Sequence, residues 1–102
     1  MTKTRMRIFT KQTLKEFADM HPQAKPPIQE WVQRAEKAEW GNYGDMKNTF
    51  HSADAIGGQR YVFNIGGNKY RIVAVVKFTI GFIYIRFVGT HQEYDKTDIK
   101  NA

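Results

Sequence analysis

Residues 60–88 read RYVFNIGGNKYRIVAVVKFTIGFIYIRFV, and this stretch decides the architecture. Tyr61, Val62, Phe63 and Ile65 form one predicted strand, Tyr70 to Phe78 a second and Phe82 to Val88 a third, all rich in β-branched and aromatic residues. Gly66–Gly67 reads as a two-residue hairpin turn, because glycine takes positive φ without steric cost. Ile80–Gly81 reads as the turn into the third strand. Three consecutive antiparallel strands make a meander.

The two turns predict registers. The first puts Phe63 opposite Tyr70, Tyr61 opposite Ile72, Asn64 opposite Lys69 and Val62 opposite Arg71. The second puts Val76 opposite Ile85, Ala74 opposite Phe87, Lys77 opposite Tyr84 and Val75 opposite Arg86, and it carries Thr90 to the level of Arg71. Side chains alternate between sheet faces, and paired residues share one. One face therefore gathers Tyr61, Phe63, Ile65, Tyr70, Ile72, Ala74, Val76, Phe78, Ile83, Ile85 and Phe87, and it is almost wholly apolar. The other gathers Arg60, Asn64, Lys69, Arg71, Lys77, Tyr84 and Arg86 over a floor of Val62, Val73, Val75 and Val88. A one-residue slip would mix the two sets, so their separation supports the pairing.

Ahead of the meander lies what covers the apolar face. Arg5 to Phe9 is a candidate strand, and Thr10 stands where a helix N-cap would stand. Leu14, Phe17, Ala18 and His21 follow the spacing of one helical face, and Pro22 ends that helix. Pro26 or Pro27 suits the first position of a second helix, whose apolar stripe is Ile28, Trp31, Val32, Ala35 and Ala38. Two helices joined by a short turn form an antiparallel hairpin with its stripes toward the sheet. Trp40 to Gly58 is glycine-rich and reads as irregular, with Lys47 to Phe50 either a helical turn or a strand fragment. Asp98 to Ala102 reads as a frayed tail. The fold class is α+β, with residues 1–102 as a single domain.

Among its 102 residues the chain has 16 Lys plus Arg against 10 Asp plus Glu, a net charge of +6 that suits polyanionic partners such as nucleic acid. It has no cysteine, which excludes disulfide scaffolds, zinc fingers and thiol catalysis. No apolar run reaches the ~18 residues of a membrane span, and no signal peptide is visible, so a cytoplasmic protein without a membrane partner is expected. His21, His51 and His91 match no metal-ligand spacing, so no metal and no cofactor is expected.

Arg71, Arg86, Lys69 and Lys77 on the polar face are either solvated charges or a phosphate-binding groove, for which arginine supplies a fixed fork of donors. His91 and Tyr94 fall three residues apart, so a helical turn would bring them together near Arg71. An imidazole, which titrates near neutral pH, beside an arginine and a phenol has the parts for proton transfer at a phosphodiester. Trp31 reads as core, and Trp40 and Tyr43 as core with a possible stacking role.

At these residues the chain resembles the HigB toxins of bacterial type II toxin–antitoxin modules. The resemblance rests on Tyr61 to Asn68, on Arg71 to Ala74, on Ile85-Arg86 and on Thr90-His91-Gln92-Glu93-Tyr94-Asp95, with weaker support from the first helix and His21-Pro22-Gln23. It implies a RelE-like fold of one strand, two helices packed on one face, and an antiparallel meander. It also implies an mRNA interferase acting mostly on the translating ribosome, neutralised by a HigA-type helix-turn-helix antitoxin through which alone the complex would touch DNA. The implied chemistry is metal-independent attack of an RNA 2′-hydroxyl on the adjacent phosphate. Arg71, His91 and Tyr94 are then the expected catalytic residues, and Lys47, Asn64, Lys69, Lys77 and Arg86 the expected RNA contacts. The competing expectation is a non-catalytic RNA- or ribosome-binding module that uses the same basic face.

Overall fold

A computed structural model of the chain describes residues 5–96, so the predicted tail from Asp98 onward lies outside the described residues. Strand β1 (Arg7–Phe9) leads into helix α1 (Lys11–Met20), a 3-10 turn (Pro22–Ala24), helix α2 (Lys25–Lys37) and helix α3 (Tyr43–Thr49). Strands β2 (Asp54–Gly57), β3 (Arg60–Ile65), β4 (Tyr70–Lys77) and β5 (Phe82–Thr90) follow, then helix α4 (His91–Lys96). The sheet order is β1-β5-β4-β3-β2, with β1 parallel to β5 and the remaining pairs antiparallel. The expected meander is therefore the centre of a five-stranded sheet.

Helices α1 and α2 cover one face, as the apolar stripes require. Leu14 and Ala18 of α1 and Ile28, Trp31 and Ala35 of α2 are buried against Phe63, Ile72, Ala74, Val76, Ile83 and Ile85. Burying the leucine, isoleucine, valine and phenylalanine side chains among these contributes about 1.5–3 kcal/mol each, which is what a chain this small needs. Helix α2 begins at Lys25, one residue ahead of Pro26, so both prolines sit in a first turn that has no use for their missing N–H groups.

The stretch expected to be irregular is partly ordered. Asn42 caps α3 by accepting the Asp45 N–H at 2.9 Å, and Lys47 to Thr49 form its last turn. Met46 and Trp40 are fully buried, which gives this short helix a tertiary reason to exist. Strand β2 then pairs with β3 through Asp54 opposite Val62.

Both hairpins are wider than two residues. Gly66, Gly67 and Asn68 all take left-handed φ of 59°, 63° and 71°, and Lys69 N–H donates to the Gly66 carbonyl at 3.3 Å. Three successive left-handed residues make a four-residue loop, and the pairs become Phe63–Ile72, Tyr61–Ala74, Asn64–Arg71 and Val62–Val73. Lys69 is thus a turn residue rather than a strand residue. The second loop also spans four residues, closed by Gly81 N–H donating to Lys77 O at 2.8 Å. It pairs Lys77 with Phe82, Val75 with Tyr84, Val76 with Ile83 and Ala74 with Ile85. Displacement by two residues preserves the period of two, so these residues keep their expected faces.

Beyond Ile85 they do not. A β-bulge between Val73 and Ala74 leaves Arg86 without a register partner, and from there Phe87 faces Val73 and Gly89 faces Arg71. Thr90 therefore stands opposite Tyr70, not Arg71. Phe87, expected on the helix-covered face, packs with Val62 and Val73 on the other, and Val88 packs against the main core instead. Thr10 stabilises this irregularity. It takes the N-cap position of α1 but makes no side-chain cap bond. Its Oγ1 instead accepts the Ile85 N–H at 3.0 Å and lies 3.2 Å from the Ile85 carbonyl.

Candidate active site

The face opposite α1 and α2 carries a small second apolar cluster. Val62 and Val73 are buried, with Ile56, Phe87 and Tyr94 packed over them. Helix α4 is fastened across this end by a reciprocal capping box. Glu93 N–H donates to Thr90 Oγ1 at 3.1 Å, and Thr90 N–H donates to Glu93 Oε1 at 2.8 Å. His91 N–H donates to the Lys69 carbonyl at 3.1 Å, so α4 starts beside the residue two before Arg71. One turn on, the Tyr94 ring comes back over β4, with the Arg71 guanidinium carbon 4.6 Å from its centroid. Phe87 packs beside it, its ring centroid 6.3 Å from that of Tyr94.

His91 has a partner that the sequence reading did not identify. Its Nδ1 lies 3.1 Å from Asp95 Oδ2, one helical turn along α4. That pairing places a hydrogen on Nδ1 and leaves Nε2 as the ring nitrogen able to exchange a proton. The i, i+4 spacing of His91 and Asp95 was a usable signal for this contact, and Thr90-x-x-Glu93 was one for the helix start.

Asn64 sits opposite Arg71. Its Nδ2 donates to the Ser52 carbonyl at 3.2 Å, which fixes the amide and leaves Oδ1 unpartnered. Arg71 Nε is likewise buried without a partner. Nothing in the sequence around Ser52 pointed to its role, because it lies in the stretch without periodicity.

Arg71, His91, Tyr94, Lys69 and Asn64 thus gather at one end of the sheet. Arg86 is exposed on the bulge of β5. Lys77 and Lys47 are elsewhere. Lys77 is six residues along β4 from Arg71, about 20 Å at strand rise, and its ammonium donates to Gln59 Oε1. Lys47 donates to the Ala53 carbonyl and lies 3.7 Å from Asp54 Oδ1, so its charge is engaged at β2. The phenol of Tyr61, on the helix-covered face, is pushed above its usual 10.0 by burial and then by the neighbouring Tyr43. Among the described residues no helix is long and apolar enough to cross a membrane.

Comparison with known proteins gives the family of the chain. The HigB_toxin family, described as the RelE-like toxic component of a toxin–antitoxin system, matches residues 24–97, which places the chain in the class of RelE-like toxins. The mRNA interferase toxin HigB of Escherichia coli strain K12 is 37% identical over 92 residues, covering 88% of each chain. The mRNA interferase HigB of Escherichia coli O157:H7 gives the same figures, 37% over 92 residues. A more distant mRNA interferase HigB, from the uropathogenic strain CFT073, is 24% identical over 93 residues. The chain belongs to the HigB toxin family.

Proposed function

We propose that this toxin is an endoribonuclease that cleaves messenger RNA on the translating ribosome, with Arg71, His91 and Tyr94 as its catalytic residues. The observation that carries the reading is the Arg71–Tyr94 contact beside an imidazole already paired to Asp95. Cleavage proceeds by attack of a 2′-hydroxyl oxygen on the adjacent phosphorus as the bond to the 5′-oxygen breaks. The products are a 2′,3′-cyclic phosphate and a 5′-hydroxyl. A proton must leave the nucleophile, another must reach the leaving oxygen, and the phosphorane's added charge must be stabilised.

Arg71 meets the last requirement. Its side chain is half-buried, so its charge is less screened than that of an exposed lysine, and the Tyr94 ring fixes its plane. His91 exchanges protons through Nε2 while Asp95 holds Nδ1–H. Tyr94 orients Arg71 and the phosphate. No step in this scheme requires a metal. Lys69, Asn64 and Arg86 hold the flanking RNA, whereas Lys77 and Lys47 lie away from the reacting phosphate and serve more distant backbone or the ribosome. A HigA-type helix-turn-helix antitoxin neutralises the toxin and makes the contact with operator DNA.

The alternative is a docking module that binds RNA or the ribosome without cutting. The His91–Asp95 pair favours the enzyme, since docking has no use for an oriented imidazole. Primer extension on a defined message in a purified translation system separates the two. Translation-dependent cuts by the unmodified protein, lost in Arg71→Ala and His91→Ala variants that still bind ribosomes, support the enzyme. Absence of cuts by the folded, ribosome-bound protein supports the docking module.

A further inference from the structure

Strands β1, β3, β4 and β5 carry Arg7, Arg60, Arg71, Lys77 and Arg86 but no Asp or Glu. Asp54 of β2 is matched by Lys47 at 3.7 Å. Ile8 and Ile83 are buried in the main core, so alternation sends Arg7, Phe9, Phe82 and Tyr84 to the face opposite α1 and α2. Register orders them into two rows. Phe82 stands between Arg7 of β1 and Lys77 of β4, and Tyr84 between Phe9 of β1 and Val75 of β4. The rings form one assembly. Phe9 and Tyr84 stack at 5.0 Å and 17°, and Phe82 meets Phe9 edge-on at 4.8 Å and Tyr84 at 6.1 Å. The Arg7 guanidinium carbon lies 5.2 Å from the Phe9 centroid. Phe9 is thus the backing of the group, and the half-buried Phe82 and Tyr84 supply its accessible surface. Helix α4 packs over Val62, Val73 and Phe87 near the other end of the face. Among the described residues no ring or cation of a helix packs on Phe9, Phe82 or Tyr84.

We infer that Phe82 and Tyr84 are a second contact for the message, stacking on bases a few nucleotides from the phosphate that Arg71 holds, with Arg7, Lys77 and Arg86 along the intervening backbone. The inference rests on the RNA-cleaving reading for the identity of its ligand. Grouped aromatic rings on an uncovered sheet face mark an interaction surface. Rings alternating with cations suit single-stranded RNA, whose bases stack while its phosphates are neutralised. An acidic peptide would match the cations but offers no row of planar groups to the rings. Position makes one continuous track. Arg71 and Val75 lie on the same face of β4, four residues and about 13 Å apart at strand rise, and Tyr84 is in register with Val75. Val73, paired with Phe87, lies between them, so the floor of the track is apolar. No carboxylate on these four strands repels the phosphates along the way.

The test is fluorescence anisotropy with a 2′-O-methyl RNA of about nine nucleotides, within the usual site size for single-stranded nucleic acid. Such an oligomer lacks the attacking hydroxyl and stays intact. An abasic oligomer of the same length is the control for the phosphates alone. The base-bearing oligomer is expected to bind about 10-fold or more tightly than the abasic one. Tyr84→Leu is expected to remove most of that difference while retaining the binding of the abasic oligomer, which also shows that the variant is folded. Arg7→Gln, at an exposed position, is expected to weaken both oligomers and to reduce the salt slope of binding by about 0.7. Equal binding of the two oligomers by the unmodified protein overturns the stacking contact, and this outcome depends on no variant. An unchanged salt slope in Arg7→Gln overturns the track along β1. Ribosome binding that needs Tyr84, without affinity for the free oligomer, assigns the rings to ribosomal RNA and overturns the message contact. Self-association lost in Tyr84→Leu, without RNA binding, assigns them to a second copy and overturns it too. Tyr84-dependent binding of bases by a protein that cleaves no message would sustain the contact and overturn the proposed activity.

Discussion

The Arg71 guanidinium packs on the Tyr94 ring, 4.6 Å from its centroid, although the two residues come from a central strand and a six-residue helix 23 positions later. The contact is made by the ring, so ring and hydroxyl can be tested separately. Tyr94→Phe is expected to keep cleavage within about 3-fold of the unmodified protein, and Tyr94→Ala to lower it by roughly 2- to 30-fold, the range that matches a cation–π contact. Single-turnover cleavage rates check this. Equal losses in both variants would mean that the hydroxyl, not the ring, carries the role.

Asp95 acts through His91 and does not need to touch RNA. Asp95→Asn retains the size of the side chain but removes the charge that holds Nδ1–H at 3.1 Å. We expect roughly a 10-fold loss in cleavage rate, against the ~10²–10⁴-fold loss usual for removing a general acid or base, as in His91→Ala. In the double variant Asp95→Asn should cost nothing further, because residues acting as a unit are non-additive. An additional loss in the double variant would assign Asp95 a separate function.

The division of the sheet into an apolar and a basic face was legible because period-two alternation survives a register error of two residues. That is the error made at Gly66–Gly67 and again at Ile80–Gly81. The bulge at Arg86 was not legible, since nothing local distinguishes an extra residue in a β-rich run. It moved Phe87 to the open face and put Gly89 opposite Arg71. Helix α3 and strand β2 were hidden for another reason. Their order comes from tertiary burial of Trp40, Met46 and Ala53, while their glycines and asparagines argue locally for a loop. The grouping of Arg71, His91 and Tyr94 followed from strand length and helical spacing. Asp95 lay at a readable i, i+4 spacing from His91, whereas Ser52, in the stretch without periodicity, had no local signal.

Gly89 shows how tightly the bulge is joined to the site. A Cβ there would lie 2.7 Å from Phe87 Cζ and 3.2 Å from Glu93 Oε1, so the ring beside Tyr94 and the helix cap would both have to move. Gly89→Ala is expected to destabilise the fold by about 1–3 kcal/mol, the usual cost of overpacking, and to lower cleavage as well. Urea denaturation and primer extension on the same preparation would show both effects. Unchanged stability with unchanged activity would mean that the bulge accommodates a methyl group by relaxing.

Thr10 predicts a stability effect far from the site. Its hydroxyl accepts the Ile85 N–H beside the bulge, a bond that Thr10→Ala deletes and Thr10→Ser preserves. Stranding a partly buried N–H costs about 1–3 kcal/mol, so the alanine variant should lose on that order and the serine variant little. Equal denaturation midpoints for the two variants would show that water replaces the hydroxyl.

Tyr61 links stability to alkaline pH. It stacks on Tyr43 with centroids 5.5 Å apart and meets Phe78 edge-on at 5.7 Å. Burial first, and the repulsion of an ionised Tyr43 second, raise its pKa above 10.0. The folded chain therefore holds this proton more tightly than the unfolded chain. Below pH 10.0 both states are protonated at Tyr61 and its contribution is fully present. Between 10.0 and the raised value the folded state binds more protons, so stability falls as pH rises across that window. Tyr61→Phe keeps both ring contacts and removes the titration. Its unfolding free energy should consequently decline less than that of the unmodified protein when denaturation curves at pH 8 and about pH 11 are compared. Parallel declines would show that the other tyrosines and lysines account for the alkaline loss, and that Tyr61 ionises without disturbing the packing around Tyr43 and Phe78.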